Sequence, residues 1–218
     1  MQPKIAHLSN SHSEPILGLE SDTAAFYGKF ASASELTRRA IDAALRSGHK
    51  ETAALDNAHR ALREAYAGNL SLAKQETDAA LKLANGWQTE GISAVALGLV
   101  GDSAQAAKLA GDLRKRFPED TMVRFEYLPM IQAAIALRGG DPGKAVDDLA
   151  AAAPHELAWL LFPDAVYFRA EAYLSAKNGV AAQAEFQKIL DHPGIVLNDP
   201  VGAMAQLGPG RRVRIGWG

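Results

Sequence analysis

The chain contains no cysteine. That excludes disulfides, thiolate metal sites and a cysteine nucleophile, and it leaves the compartment open between cytoplasm and periplasm. Charge of one sign is missing too. Lysine and arginine number 23 against 25 aspartates and glutamates, a net charge of −2 over 218 residues, so no overall field draws the chain to nucleic acid or an anionic membrane. There is no long apolar run: charged or polar residues interrupt every hydrophobic stretch well before the ~18 residues a membrane span requires. The opening "MQPKIAHLSNSHSEP" carries one lysine and no continuous apolar block, so no signal peptide is expected in it. Aromatics are sparse at 7%, yet hydrophobic residues reach 48%, the profile of a folded chain.

In place of these features the chain repeats a spaced alanine. In "GDSAQAAKLAGDLRKRFPED", residues 101–120, Gly101, Ala106, Ala110 and Leu113 set a template that Pro118 closes. Gly68, Ala73, Thr77 and Ala80 repeat it upstream, as do Gly28, Ala33, Thr37 and Ala40. Downstream come Gly140, Ala145, Leu149 and Ala152, then Ala182, Phe186 and Ile189, with Lys177 in place of the glycine. The anchor alanines 33, 73, 106, 145 and 182 lie 40, 33, 39 and 37 residues apart, close to the ~34-residue period of a helix–turn–helix array. An apolar stretch of helical period precedes each turn, for example "LDNAHRALREAYAG" and "MIQAAIALRGG". Each unit is therefore predicted to be two helices joined at the glycine, which can adopt the positive φ that ends a helix. Small anchors allow the two helices to approach closely, and Asp102, Asp141 and Pro142 fall where helix starts favour them.

The predicted fold is all-α, about five stacked antiparallel helix pairs in residues 21–207 with a partial unit at the end. Residues 1–20, polar and interrupted by Pro15, are expected to be a loose segment or partial cap, and 208–218 an irregular tail. The first helices of such an array line its concave side. Helical spacing places Leu62, Tyr127, Met130, Leu137, Tyr167 and Glu171 there as candidate partner-binding residues, with Leu55, Ala58, Gln88, Val95, Ala134 and Leu174. The competing assignment for the aromatic and methionine positions is inter-pair core.

Motifs of chemistry are not found. No HExxH pair occurs among His7, His12, His49, His59, His155 and His192, so no metal and no cofactor is predicted, and the histidines are expected at the surface or at caps. "GGDPGKA" follows a helix and lacks the hydroxyl after its lysine, so it is not a phosphate loop. Glu119–Asp120 and Asp147–Asp148 are adjacent pairs, which diverge by about 100° on a helix and do not face one substrate. "RRVR", 211–214, is expected to be solvated. The chain is predicted not to be an enzyme; an all-α enzyme would need converging titratable groups that the sequence does not display.

The units resemble tetratricopeptide repeats (TPR), most closely in "AVYFRAEAYLSAKNGVAAQAEFQKILDHPG", residues 165–194, where Ala170, Tyr173, Ala182, Phe186 and Pro193 fall at or beside motif positions. "AEFQKILDHPGIVLNDPVGA" and "DTAAFYGKF" are similar to the C-terminal repeat regions of large bacterial proteins that carry a serine/threonine protein kinase or winged-helix domain. The resemblance covers residues 13–207. It implies a right-handed superhelix and a non-catalytic protein–protein interaction module of a bacterial signalling protein, binding a protein or peptide in an apolar concave groove. Units 1 and 2 depart from the pattern, with Thr37 and Thr77 where an aromatic is favoured. The alternative is self-association through the open end of the array, which light scattering across a dilution series would detect. Nucleic acid and membrane are not expected partners. Some repeats of this type grip a C-terminal carboxylate with lysine and asparagine. Ala58, Leu62, Gly91 and Val95 stand at those places here, and Arg60 and Arg63 are expected to point elsewhere. A bound peptide and its C-terminal amide should therefore have equal affinity in a fluorescence titration. A marked preference for the free acid would contradict this.

Overall fold

The computed structural model describes residues 13–156 and 163–208. Among them there is helix and turn, with no strand. Five helix pairs follow in order: α1 (Ser13–Phe26) with α2 (Phe30–Arg46), α3 (Lys50–Tyr66) with α4 (Leu70–Leu83), α5 (Trp87–Val100) with α6 (Ser103–Arg116), α7 (Leu128–Arg138) with α8 (Pro142–Asp148), and α9 (Asp164–Ser175) with α10 (Gly179–Leu190). Two short helices end the described chain, α11 (Pro193–Val196) and α12 (Pro200–Leu207). Each first helix packs on its own second helix, and α3, α5, α7 and α9 also pack successively on one another. The first helix begins at Ser13, inside the stretch expected to be loose, because Pro15 falls in its first turn, where a missing N–H costs nothing. His7, His12 and the "RRVR" cluster lie outside the described residues.

The turns follow the template. Gly28, Gly68, Gly101 and Gly140 adopt φ between 71° and 92°. In the fifth unit Lys177 itself takes φ 60°, a left-handed conformation that costs a non-glycine residue roughly 1–2 kcal/mol. Asp102, Asp141 and Asp199 cap their helices by accepting from the backbone N–H of Gln105, Lys144 and Val201, and Asn178 does the same for Ala181. Pro129 explains one irregularity. It supplies no N–H and crowds the carbonyl four residues earlier, and the chain widens into a π-helical turn over Val123–Tyr127 before α7.

Small side chains set the spacing throughout. The anchors Ala73, Ala106 and Ala145 are fully buried, and Ala33 and Ala182 nearly so. The helix α5 has every residue from Thr89 to Leu99 buried, which is why its sequence shows no polar face. Two of its glycines touch the π turn and α7. A Cβ on Gly98 would lie 2.8 Å from the Ala134 Cβ, and one on Gly91 would lie 2.5 Å from the Tyr127 ring. Replacing Gly91 by Ala should therefore destabilise the protein by about 1–3 kcal/mol, the cost of overpacking. Gly111→Ala on α6, where nothing stands within 4 Å, should stabilise it by roughly 0.4–1 kcal/mol through helix propensity and unfolded-state entropy. Urea denaturation of the two variants checks both signs.

Candidate binding face and central cavity

The first helices converge. Leu62, Arg63 and Tyr66 from α3, Ile92 and Val95 from α5, and Tyr127 and Met130 from the π turn and α7 face one another around a cavity of about 70 Å³. Asp22 from α1, His59 from α3, Glu126, Asp164 at the start of α9 and Asp199 at the start of α12 add a polar side, with Pro200 and Val201 beside them. The volume suits roughly five water molecules. The inner face thus combines apolar side chains with four acids, and α12 packs on α1 along its edge.

The six residues singled out by helical spacing divide between two places. Leu62, Tyr127 and Met130 line this cavity. Leu137, Tyr167 and Glu171 line a smaller crevice beside it, of about 10 Å³, formed with Ala65, Leu99 and Phe168. All six side chains are buried, none more than 7% exposed. The expectation that Arg60 and Arg63 point away holds for Arg60, which reaches Ser34 and Glu76 between α2 and α4. Arg63 departs from it and turns inward. Its guanidinium donates to Asp22 Oδ1 at 2.8 Å, Thr37 Oγ1 at 2.5 Å and Ser21 Oγ at 3.3 Å. Ser21 in turn donates to the Ala33 carbonyl. This network occupies the space where unit 1 lacks an aromatic, and it ties α1, α2 and α3 together.

Spacing on single helices did not reveal Tyr66, which separates the two cavities and touches both. Its ring meets Tyr167 edge-on at 5.7 Å and Phe168 at 6.1 Å, and its hydroxyl donates to Asp164 Oδ1 at 2.5 Å. One side chain thus joins α3 to α9. The available signal was the only aromatic on α3, at its last position, and the aspartates beside Pro163 and Pro200 at two helix starts.

Burial dominates the electrostatics. It pushes Asp164 up, against the Tyr66 hydroxyl that favours its ionised form. It pushes Asp199 up further, with Asp164 and Asp22 adding repulsion and the Val201 N–H and Arg63 opposing. Asp164 thereby holds its proton to about 6 and Asp199 to about 8, both above the usual carboxylate range. His59 is pushed down to about 4 by burial and by Arg63, so it is neutral at pH 7; it lines the cavity instead of lying at the surface or a cap. In the crevice, burial raises Glu171 to about 7 despite the Tyr167 hydroxyl bonded to it. Charge in the cavity is thus an Arg63–Asp22 pair beside two aspartates, Asp164 and Asp199, whose proton affinity burial raises.

Among the described residues no three His, Asp or Glu side chains stand together as metal ligands, and no helix is long and apolar enough to cross a membrane. Comparison with protein-family models, curated proteins and solved structures finds no match to this chain.

The paired aspartates set a sign for pH dependence. Unfolded carboxylates lose their protons near pH 4, whereas the folded pair keeps one up to about 8. The folded state binds more protons across that interval, so stability falls as pH rises from about 4 to about 8 and levels off above. Asp199→Asn keeps an acceptor for the Val201 N–H and removes the repelling carboxylate. It should flatten this slope and raise the melting temperature at pH 8.5 by about 2–4 °C, as read by circular dichroism.

Proposed function

We propose that this chain is a non-catalytic protein–protein interaction module of tetratricopeptide type, its helix pairs stacked as a right-handed superhelix. On this reading it is the regulatory or sensing repeat region of a bacterial signalling protein, joined in its full-length form to a serine/threonine kinase or winged-helix domain. One observation carries the reading. The first helices of five successive pairs turn side chains toward one interior face, while the second helices, drawn close by small alanines, pack behind them. Pre-folded helices present a fixed surface, so the partner segment bears most of the ordering cost on binding.

A second reading, a small-molecule site with acid–base character, is favoured by the convergence of Asp22, Glu126, Asp164, Asp199 and His59 on a confined cavity. The two separate on His59, a partly buried residue at the cavity. The immobilised protein should capture a partner from lysate of its source, and His59→Trp should weaken that capture at least tenfold with an unchanged thermal melt. Undiminished capture by the variant would show that the interior face is not the contact surface. Loss of a bound small molecule in Asp164→Asn, with no protein captured by either form, would favour the second reading.

A further inference from the structure

The first helix is apolar on two faces. Leu17, Ser21 and Ala25, four residues apart, are buried toward α2, where Ser21 donates to the Ala33 carbonyl. On the opposite side Ile16, Leu19, Thr23 and Tyr27 follow at helical spacing, and Phe30 opens α2 beyond the turn; all of these are exposed. The link before α12 runs along this stripe and adds Leu197, since the neighbouring Asn198 donates to the Leu19 carbonyl at 3.2 Å and to Thr23 Oγ1 at 2.9 Å. The five large apolar residues are between 52% and 70% exposed. At about 200 Å² for a residue of this size they leave roughly 600 Å² open to solvent, as much as the largest patch of a typical monomer. An end unit of a helix row ordinarily turns a polar face outward. The outer face of α1 is apolar instead.

The stripe is complementary to itself. It has the same order from either end about Thr23: Leu19 and Tyr27 stand four residues to each side, and Ile16 and Phe30 seven. Two copies set antiparallel about a two-fold axis at Thr23 therefore lay Leu19 against the other copy's Tyr27 and Ile16 toward its Phe30, the arrangement of an isologous interface. Thr23 is small at the crossing point. Its hydroxyl already donates to the Leu19 carbonyl and accepts from Asn198, so covering it orphans no polar group. Tyr27 is held edge-on at 5.4 Å by the ring of the half-buried Phe26, which limits the cost of ordering an aromatic anchor. Charge agrees as well. Exposed Glu20 and Lys29 border opposite halves of the stripe, and the antiparallel setting brings each acid to the half that carries the other copy's base. Burying the stripe on both copies removes about 1,200 Å² from water, the size at which stable interfaces begin. The stretch before Ser13 offers Met1, Ile5 and Leu8 as its large apolar residues, too few to cover five.

We propose that two copies of this chain associate through this stripe as a two-fold dimer, α1 packed antiparallel on α1. None of the stripe's residues lines the central cavity, so the dimer and the interaction-module reading fail or hold separately.

Sedimentation velocity of the full chain across a dilution series tests this. The mass should move from one chain to two as concentration rises. Leu19→Lys and Tyr27→Glu, both at exposed positions, should each weaken association at least tenfold with an unchanged thermal melt. Mixing the two variants should restore the dimer, because the introduced lysine of one meets the introduced glutamate of the other while the second Leu19–Tyr27 contact stays native. Since the chain lacks cysteine, Thr23→Cys should oxidise to a covalent dimer, and Val180→Cys, 85% exposed on α10, should not. A single-chain mass at every concentration overturns the proposal; a dimer formed only after removal of residues 2–12 would then assign the stripe to that stretch, and loss of a captured partner in Leu19→Lys would assign it to that partner. A dimer that ignores both substitutions, or that the mixture does not restore, places the contact elsewhere and overturns it equally.

Discussion

Close approach at alanine and glycine is the constraint on which the rest of the structure depends. Helix axes come near enough for backbones to touch only if the contact residues are small, as at Ala73, Ala106 and Ala145 within pairs and at Gly91 and Gly98 between α5 and α7. A core of this kind gains little from any one side chain, since alanine buries little area. It gains instead from many short contacts at interior packing density. Large residues are reserved for the places the small ones leave, Leu113, Leu149, Phe186 and Ile189 among them, each nearly without exposure. The same economy accounts for the low aromatic content.

Because the pairs pack so closely, the first helices come together in the interior and their polar residues must be satisfied there. Arg63 is neutralised by Asp22 and held by two hydroxyls; Tyr66 gives its hydroxyl to Asp164. A buried carboxylate that finds one such donor is still poorly solvated, and it holds its proton to higher pH than an exposed one. A second buried cluster shows the contrasting case. Arg169 and Lys188 bridge Glu156 and Glu185 at 2.6–3.2 Å, tying the end of the fourth unit to the fifth pair with opposite charges in direct contact. Two cations offset the carboxylates there, while the cavity has one arginine among its acids. A face of this kind can accept apolar contact and hydrogen bonds, and it disfavours a ligand that brings further negative charge.

Much of this was legible in residue order, for a local reason. Alanine spacing, turn glycines, Asp-Pro starts and a 3.6-residue period are properties of neighbouring residues, so the pairs, their joints and the caps at Asp102, Asp141 and Asp199 could be read before any helix was placed. Even Lys177 stood out, as the one residue in a glycine's position. The inward facing of Tyr127 and Met130 was legible in the same way, but not their burial, because helical spacing cannot tell an inward face that meets solvent from one that meets another helix.

What only the tertiary structure decided is how the ends of the row meet. No local pattern says that α12 reaches α1, that Tyr66 reaches Asp164 98 residues away, or that Asp164 and Asp199 share one cavity. Those contacts depend on how each pair packs on the next, which side-chain volumes at positions far apart in the chain decide. Spacing determined the units; long-range packing determined what they bring together.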